Sequence, residues 1–194
     1  MRTLSRCSAL AGLLLVGSSA LWAQHPQVRK GFWIGFGIGY GSVDISCNGC
    51  GSASRQGGAT GFLKLGGTLS PSLLLGGEVN AWSKTEGDET VTLGNVSAVL
   101  YYYPALASGF FLRGGVGLSD VQDKVTGDQS ITGTGAGFVA GVGYDLRVGR
   151  NVSITPVANF LYGAIGELSQ GGASSSGLGW KQNYFEFGLG VTFH

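Results

Sequence analysis

From residue 31 onward the chain alternates large apolar side chains with small or polar ones at a period of two. In the segment 31–43, Phe32, Ile34, Phe36, Ile38 and Tyr40 share one parity, and Trp33, Gly35, Gly37 and Gly39 share the other. Successive side chains of a β-strand point to opposite faces, so this spacing predicts a strand with one greasy face and one face of mostly minimal bulk. Two other readings fail. The third glycine comes one residue too early for a dinucleotide-binding loop. A membrane-spanning helix needs about twenty apolar residues, and this run reaches Asp44 first, with glycines that would weaken any helix.

The alternation recurs between turn signals and predicts strands at 31–43, 58–70, 72–85, 90–103, 109–120, 132–147, 152–165 and 179–193. No helical pattern interrupts them. Each run exceeds the five or six residues usual in soluble proteins and suits the roughly nine to eleven of a tilted transmembrane strand. Connections after the second, fourth and sixth strands are short. Those after the first, fifth and seventh are long, polar and rich in Gly, Ser and Asp. The one after the third, Lys84 to Glu89, is short and charged. Alternating short turns with longer loops is the layout of an outer-membrane barrel.

The parity that carries polarity decides the solvent. Lys64, Glu78, Asn80, Asn95, Arg113, Asn159 and Glu186 lie on the small-residue face, and the large apolar side chains lie on the opposite one. A soluble barrel of lipocalin type would be apolar inside and polar outside; here the order is inverted. The expected fold is therefore all-β, an eight-stranded antiparallel up-and-down transmembrane β-barrel. Its lumen is so narrow that side chains fill it, which gives the glycines a purpose: they leave room for the few long polar residues. Tyr102 and Phe110 would flank a turn at one membrane interface, and Tyr40 and Tyr162 the other.

Composition changes this picture at the ends. Residues 1–23 have Arg2 and Arg6, an apolar run from Ala9 to Val16 and then small residues, the layout of a secretory signal peptide cleaved after Ala23, with Ala20 the second choice. Residues 24–194 would form one barrel domain. Both leader arginines leave with the signal, so the mature chain carries ten basic against eleven acidic residues. That balance excludes a polycationic nucleic-acid binder.

At the C-terminus the chain reads EFGLGVTFH. The spacing Glu186-x-Gly188-x-x-Val191-x-Phe193 resembles the terminal signal of bacterial outer-membrane proteins, with His194 following the aromatic residue that usually ends the chain. With the leader and the eight alternating segments, the chain is similar to the small eight-stranded barrels of the OmpA/OmpX type, over all of the mature sequence. The resemblance implies residence in the cell outer membrane, contact with outer-membrane lipid and lipopolysaccharide, recognition of the terminal signal by the barrel-assembly machinery, and a monomer. It leaves function open, because such barrels serve as structural proteins, adhesins, small-solute pores and lipid-modifying enzymes.

The chemistry-bearing residues narrow that range. Lipid-modifying barrels pair a histidine with a serine nucleophile. His25 lies beside the expected cleavage site and His194 at the chain end, so nucleophile, base and orienter do not assemble. No catalysis and no cofactor is expected. Cys47-Asn48-Gly49-Cys50 lacks the βαβ context of a redox motif and the four ligands of a structural zinc site; a local disulfide is expected in an oxidising compartment. Asp120, Asp123 and Asp128 do not have EF-hand spacing, and the acidic loops read as a solvated surface. The interior cluster Lys64, Glu78, Arg113 and Glu186 sums to zero charge. Lys64 is expected opposite Glu78 across the turn at Pro71, with Arg113 and Glu186 meeting across the lumen. The expected role is structural or in surface interaction through the loops, with a polar plugged interior. The alternatives are a narrow pore or hydrophobic-solute port and, behind it, a lipid-modifying enzyme.

Overall fold

The computed structural model describes residues 27–48, 54–125, 127, 130–170 and 173–194. The signal segment therefore lies outside the described residues. The strands are β1 (Phe32–Ser46), β2 (Gln56–Ser70), β3 (Leu73–Glu86), β4 (Glu89–Tyr102), β5 (Phe110–Val125), β6 (Ile131–Tyr144), β7 (Leu146–Arg147), β8 (Val152–Gln170) and β9 (Ala173–Phe193). Each pairs antiparallel with its neighbour, β6 pairs with β8, and β1 pairs with β9 to close the ring. The wall thus has eight strands, one of them the broken pair β6 and β7, and the described residues contain no helix. Closure removes both sheet edges and satisfies the backbone within the wall, as lipid requires.

The period-two pattern maps onto the wall as expected. Phe36, Ile38 and Tyr40 are exposed on the outer face, with Ile38 at 77%, while Trp33 and Val43 are buried inside. The glycine column of β1 is explained by what faces it. A Cβ on Gly37 would lie 2.4 Å from the Phe62 ring, and one on Gly35 would lie 2.7 Å from the Lys64 stem. The narrow lumen is filled by interdigitation, with small residues on β1 facing large ones on β2. Gly37→Val is therefore expected to cost about 1–3 kcal/mol by overpacking. Urea unfolding in detergent checks this, and an unchanged midpoint would mean that Phe62 moves aside freely.

Three expectations need correction. The sixth strand is not continuous over 132–147: it breaks at Asp145, whose side chain turns into the lumen and makes the contacts described below. The long connections after the fifth and seventh strands are largely strand. β5 runs to Val125, β8 to Gln170, and β9 starts at Ala173. The Ser, Thr and Gly there predict loop, but residues above a membrane can pair as a sheet without apolar alternation. The interior is also less polar than expected. Phe62, Leu74, Leu93, Val99, Phe111 and Leu161 are buried in it together with five aromatic residues carrying a polar atom, Trp33, Trp82, Tyr101, Tyr103 and Tyr184. The β3–β4 turn is two residues long, Gly87-Asp88, and only Gly87 has positive φ (59°). Glycine at the first central position is what a type II′ hairpin requires.

Candidate functional site

The interior is where the chain concentrates its buried polar residues, and it divides into three levels. Residues 27–31, the C-terminus and the turns at 71–72 and 103–109 lie at one end of the barrel, here the floor. The β3–β4 turn and the ends of β1 and β2 at Ser46 and Gln56 lie at the other end, the rim.

The middle level crosses the lumen. β1 and β5 stand on opposite walls of an eight-strand ring. Trp33 from β1 and Phe111 from β5 meet through Tyr101 of β4, with ring centroids 5.2 and 5.4 Å apart. Beside this aromatic bridge, the Arg113 guanidinium donates to the Glu78 carboxylate in an ion pair whose side chains are 1% and 0% exposed. The Tyr101 hydroxyl donates to the other Glu78 oxygen at 2.5 Å. Lys64 stands directly opposite Glu78 in the β2–β3 register, as the hairpin at Pro71 implied. Its ammonium nevertheless makes no ion pair with Glu78. It lies over the rings of Tyr101 and Phe111, 5.2 and 5.4 Å from their centroids. The expected Lys64–Glu78 pair is thus replaced by Arg113–Glu78, because the planar guanidinium reaches the carboxylate from β5 and the rings accommodate the ammonium.

Arg113 and Glu186 interact electrostatically but are not an ion pair; Glu186 accepts from the Asn159 amide at 3.2 Å. Of the terminal-signal residues, Glu186 is buried in the lumen, Gly188 and Val191 sit in the wall, and Phe193 faces outward at 40% exposure, near Phe36 with ring centroids 6.4 Å apart. Nearer the rim, Asn95 donates to Ser119 at 2.9 Å, and Trp82 donates to the Gly41 carbonyl at 3.1 Å. Above Trp82 a cavity of about 150 Å³ opens between Gln56, Lys84, Glu86 and Glu89. Lys84 is paired with Glu86 at 2.6 Å there.

The floor was not visible in the sequence. Asp145 accepts from the Tyr103 hydroxyl and from the Thr155 hydroxyl, both at 2.8 Å, and lies 3.3 Å from the His194 imidazole. Burial, and then the Asp145 carboxylate, push the Tyr103 phenol well above its ordinary range, so it stays a donor. The segment before β1 is strapped across this cluster. Arg29, 3% exposed, donates to the carbonyls of Leu106 and Ser108 and stacks 3.7 Å above the Tyr103 ring. Gln27 donates to the Asp145 carbonyl, and Arg147 donates to the Val28 carbonyl. The residue that follows the terminal aromatic, His194, thus turns inward onto Asp145. No spacing rule predicts this, because Arg29, Asp145 and His194 are 116 and 49 positions apart in turn and only Asp145 falls in an alternating segment.

Among the described residues no group of three or more His, Cys, Asp or Glu side chains is placed to hold a metal. Cys47 follows β1 directly, and Cys50 lies outside the described residues.

A family model described as "Outer membrane protein beta-barrel domain" matches residues 8–193. No curated protein sequence matches the chain. Among solved structures, Neisserial surface protein A is similar with a TM-score of 0.57 at 18% identity, covering 86% of this chain and 98% of its own. The attachment invasion locus protein Ail of Yersinia pestis gives 0.55 at 17%, covering 84% and 99%. OprG of Pseudomonas aeruginosa gives 0.50 at 15%, covering 88% and 100%. At these identities the likeness is one of fold.

Proposed function

The chain belongs to the outer membrane protein β-barrel family and is a bacterial outer-membrane protein, and from that premise we propose that it is a plugged barrel acting in surface interaction rather than a pore. The observation that carries this reading is the middle level of the lumen, where Trp33, Tyr101 and Phe111 reach from wall to wall beside the buried Glu78–Arg113 pair. A buried, hydrogen-bonded ion pair is costly to open. The floor, with residues 27–31 and the C-terminus, faces the periplasm and the rim faces outward. The β8–β9 hairpin continues past Ser46, the last residue of β1 to pair with β9, and so carries sheet beyond that part of the rim. The role is non-catalytic: His194, the one histidine among the described residues, is held by Asp145 at the floor, far from the rim serines. Phe193 and its spacing serve assembly.

Reconstituted in planar bilayers, the purified barrel is expected to show no stable unitary conductance. Regular steps would favour the narrow pore. Protease added to intact cells is expected to reach the rim connections and spare the turn at Pro71; cleavage confined to Pro71 would invert the barrel. In the same reading Cys47 and Cys50 form a bridge that pins the tip of the β1–β2 connection. Alkylation without reductant is expected to leave both unlabelled, and full labelling of both would exclude the bridge.

A further inference from the structure

The lumen is packed at its middle and floor, but its outward mouth is not. There a cavity of about 150 Å³ lies between β1, β2, β3 and β4. Its base is the buried Trp82, whose one polar hydrogen is already donated to the Gly41 carbonyl. The indole therefore offers the cavity carbon alone. Ile45 and Val91 are two further apolar walls, and both pack against the buried core. Carboxylates stand around this apolar base. Glu86 and Glu89 are direct cross-strand partners across the β3–β4 turn, and both line the cavity. Like charges placed opposite each other cost stability. Lys84 offsets one of them, pairing with Glu86 at 2.6 Å and donating to Gln56. Glu89 has no ion pair or hydrogen bond among the described residues. A third carboxylate joins them. Asp123 of β5 is in register with Val91 and shares its inward face, and its Oδ1 is buried without a hydrogen-bond partner. A buried, unpaired carboxylate oxygen calls for a donor. The other cations of the rim do not supply it. Lys124 and Lys181 have the outward parity of β5 and β9, and Arg55 lies against the outward Phe185 ring. Three carboxylates against one ammonium leave the mouth with two negative charges.

We infer that this mouth cavity receives the guanidinium of an arginine side chain carried by a partner protein. The inference rests on the surface-interaction reading above and names the chemistry of its partner. The cavity is polar at its brim and roomy enough for a guanidinium on a short stem. Glu89 and Asp123 are diagonal neighbours on β4 and β5, about 7–8 Å apart at the backbone. Side chains converging from that spacing can share the fork of donors on one guanidinium, while Glu86 keeps Lys84. A guanidinium also suits the base better than an ammonium does, because it is planar, weakly hydrated and at ease against an aromatic surface. A neutral ligand would leave the carboxylates desolvated and unpaired, and an anion would meet their repulsion. A side chain already ordered on a folded partner loses less freedom on entry than a free cation. Arginine is, moreover, a preferred anchor at the centre of protein interfaces.

Solution NMR of the purified full-length barrel in micelles, titrated with Nα-acetyl-arginine amide, tests this through the Trp82 indole N–H resonance. A saturable shift is expected. Glu89→Gln and Asp123→Asn are each expected to weaken binding about tenfold, the loss of one charge-assisted contact. The rest of each variant's spectrum is expected to stay that of the folded barrel. Glu167→Gln, on the outward parity of β8 opposite Thr134, is expected to bind as wild type does. Nα-acetyl-citrulline amide, similar in shape but uncharged, is expected to leave the resonance unmoved. No shift with the arginine ligand, undiminished binding by either carboxylate variant, an equal loss in Glu167→Gln, or equal binding of the citrulline ligand would each overturn the site. Binding of butylguanidinium with exclusion of the arginine amide would overturn the partner-borne side chain in favour of a free cation. Labelling of intact cells with a membrane-impermeant amine reagent isolates the orientation. Lys124, exposed at the rim, is expected to be modified and Lys30, at the floor, protected. The reverse pattern would overturn the surface reading while binding in micelles stood.

Discussion

Replacing Glu78 with alanine is expected to destabilise the barrel by about 3–5 kcal/mol, the cost of leaving one half of a buried ion pair behind. Arg113 and Glu78 are both almost fully enclosed, and two of the Arg113 nitrogens already lack a protein partner. Without Glu78 the guanidinium loses its counter-charge and Tyr101 loses its acceptor. Removing both charges relieves this, so Glu78→Ala with Arg113→Ala should cost less than the sum of the single changes, with a coupling of roughly 1–3 kcal/mol. Lys64 gives the contrast. Its ammonium lies over the rings of Tyr101 and Phe111 and interacts electrostatically with Asp145 as well as with Glu78, so Glu78→Ala with Lys64→Ala should show a smaller coupling than the Arg113 cycle despite the direct register between the two positions. Urea unfolding in detergent or lipid, run as two double-mutant cycles, measures both couplings. Small and additive effects in both cycles would describe a hydrated, screened lumen and move the reading toward the pore.

That contrast also shows how far the sequence reached. The wall is a local matter: which side chains face lipid follows from parity alone, and a one-residue slip would invert every strand, so Phe36, Ile38 and Tyr40 announce their face individually. The register of Lys64 against Glu78 was legible for the same reason, since a hairpin turn fixes it. The partner of Glu78 was not. Arg113 stands two strands further round the ring, and its choice over Lys64 depends on side-chain reach and on two aromatic rings, neither of which has a period. Phe111 and Leu74 were passed over because they fall on the polar parity of β5 and β3, where the expectation was of charge; the lumen needs bulk as well as polarity to fill its cross-section. Extended strands above the membrane escaped because their outer face meets water, which removes the apolar alternation that marks a strand within lipid. The 150 Å³ cavity at the rim, which takes Gln56 from one hairpin and Glu89 from another, has no sequence signature at all.

The floor makes the sharper demand on chemistry. Asp145→Ala is expected to destabilise the barrel by about 3 kcal/mol or more, although the residue belongs to no strand. Its carboxylate joins Tyr103 beyond β4, Thr155 on β8 and His194 after β9, and its backbone carbonyl holds Gln27 of the N-terminal strap. The backbone amide bonds to the Gly109 carbonyl at 2.9 Å, so the chain break there is itself tied to the next turn. Beyond that strap contact, which is to backbone, three segments distant in sequence therefore depend on one buried carboxylate. Its loss leaves the Tyr103 hydroxyl without its acceptor and Thr155 with Thr192 alone, beside Arg147, Arg29 and the imidazole, all buried. Asp145→Asn separates shape from charge: an amide oxygen can still accept from Thr155, but the negative charge is gone, so an intermediate loss is expected. Arg29→Ala should be milder than either. It frees the strap without opening the barrel, and the readout is faster trypsin cleavage after Lys30 with a nearly unchanged urea midpoint. The order expected is Asp145→Ala, then Asp145→Asn, then Arg29→Ala, read from urea midpoints in one detergent. Asp145→Asn behaving as wild type would show that geometry alone closes the floor. An unchanged midpoint for Asp145→Ala would show that the strap, the turn and the C-terminus each seat independently on the wall.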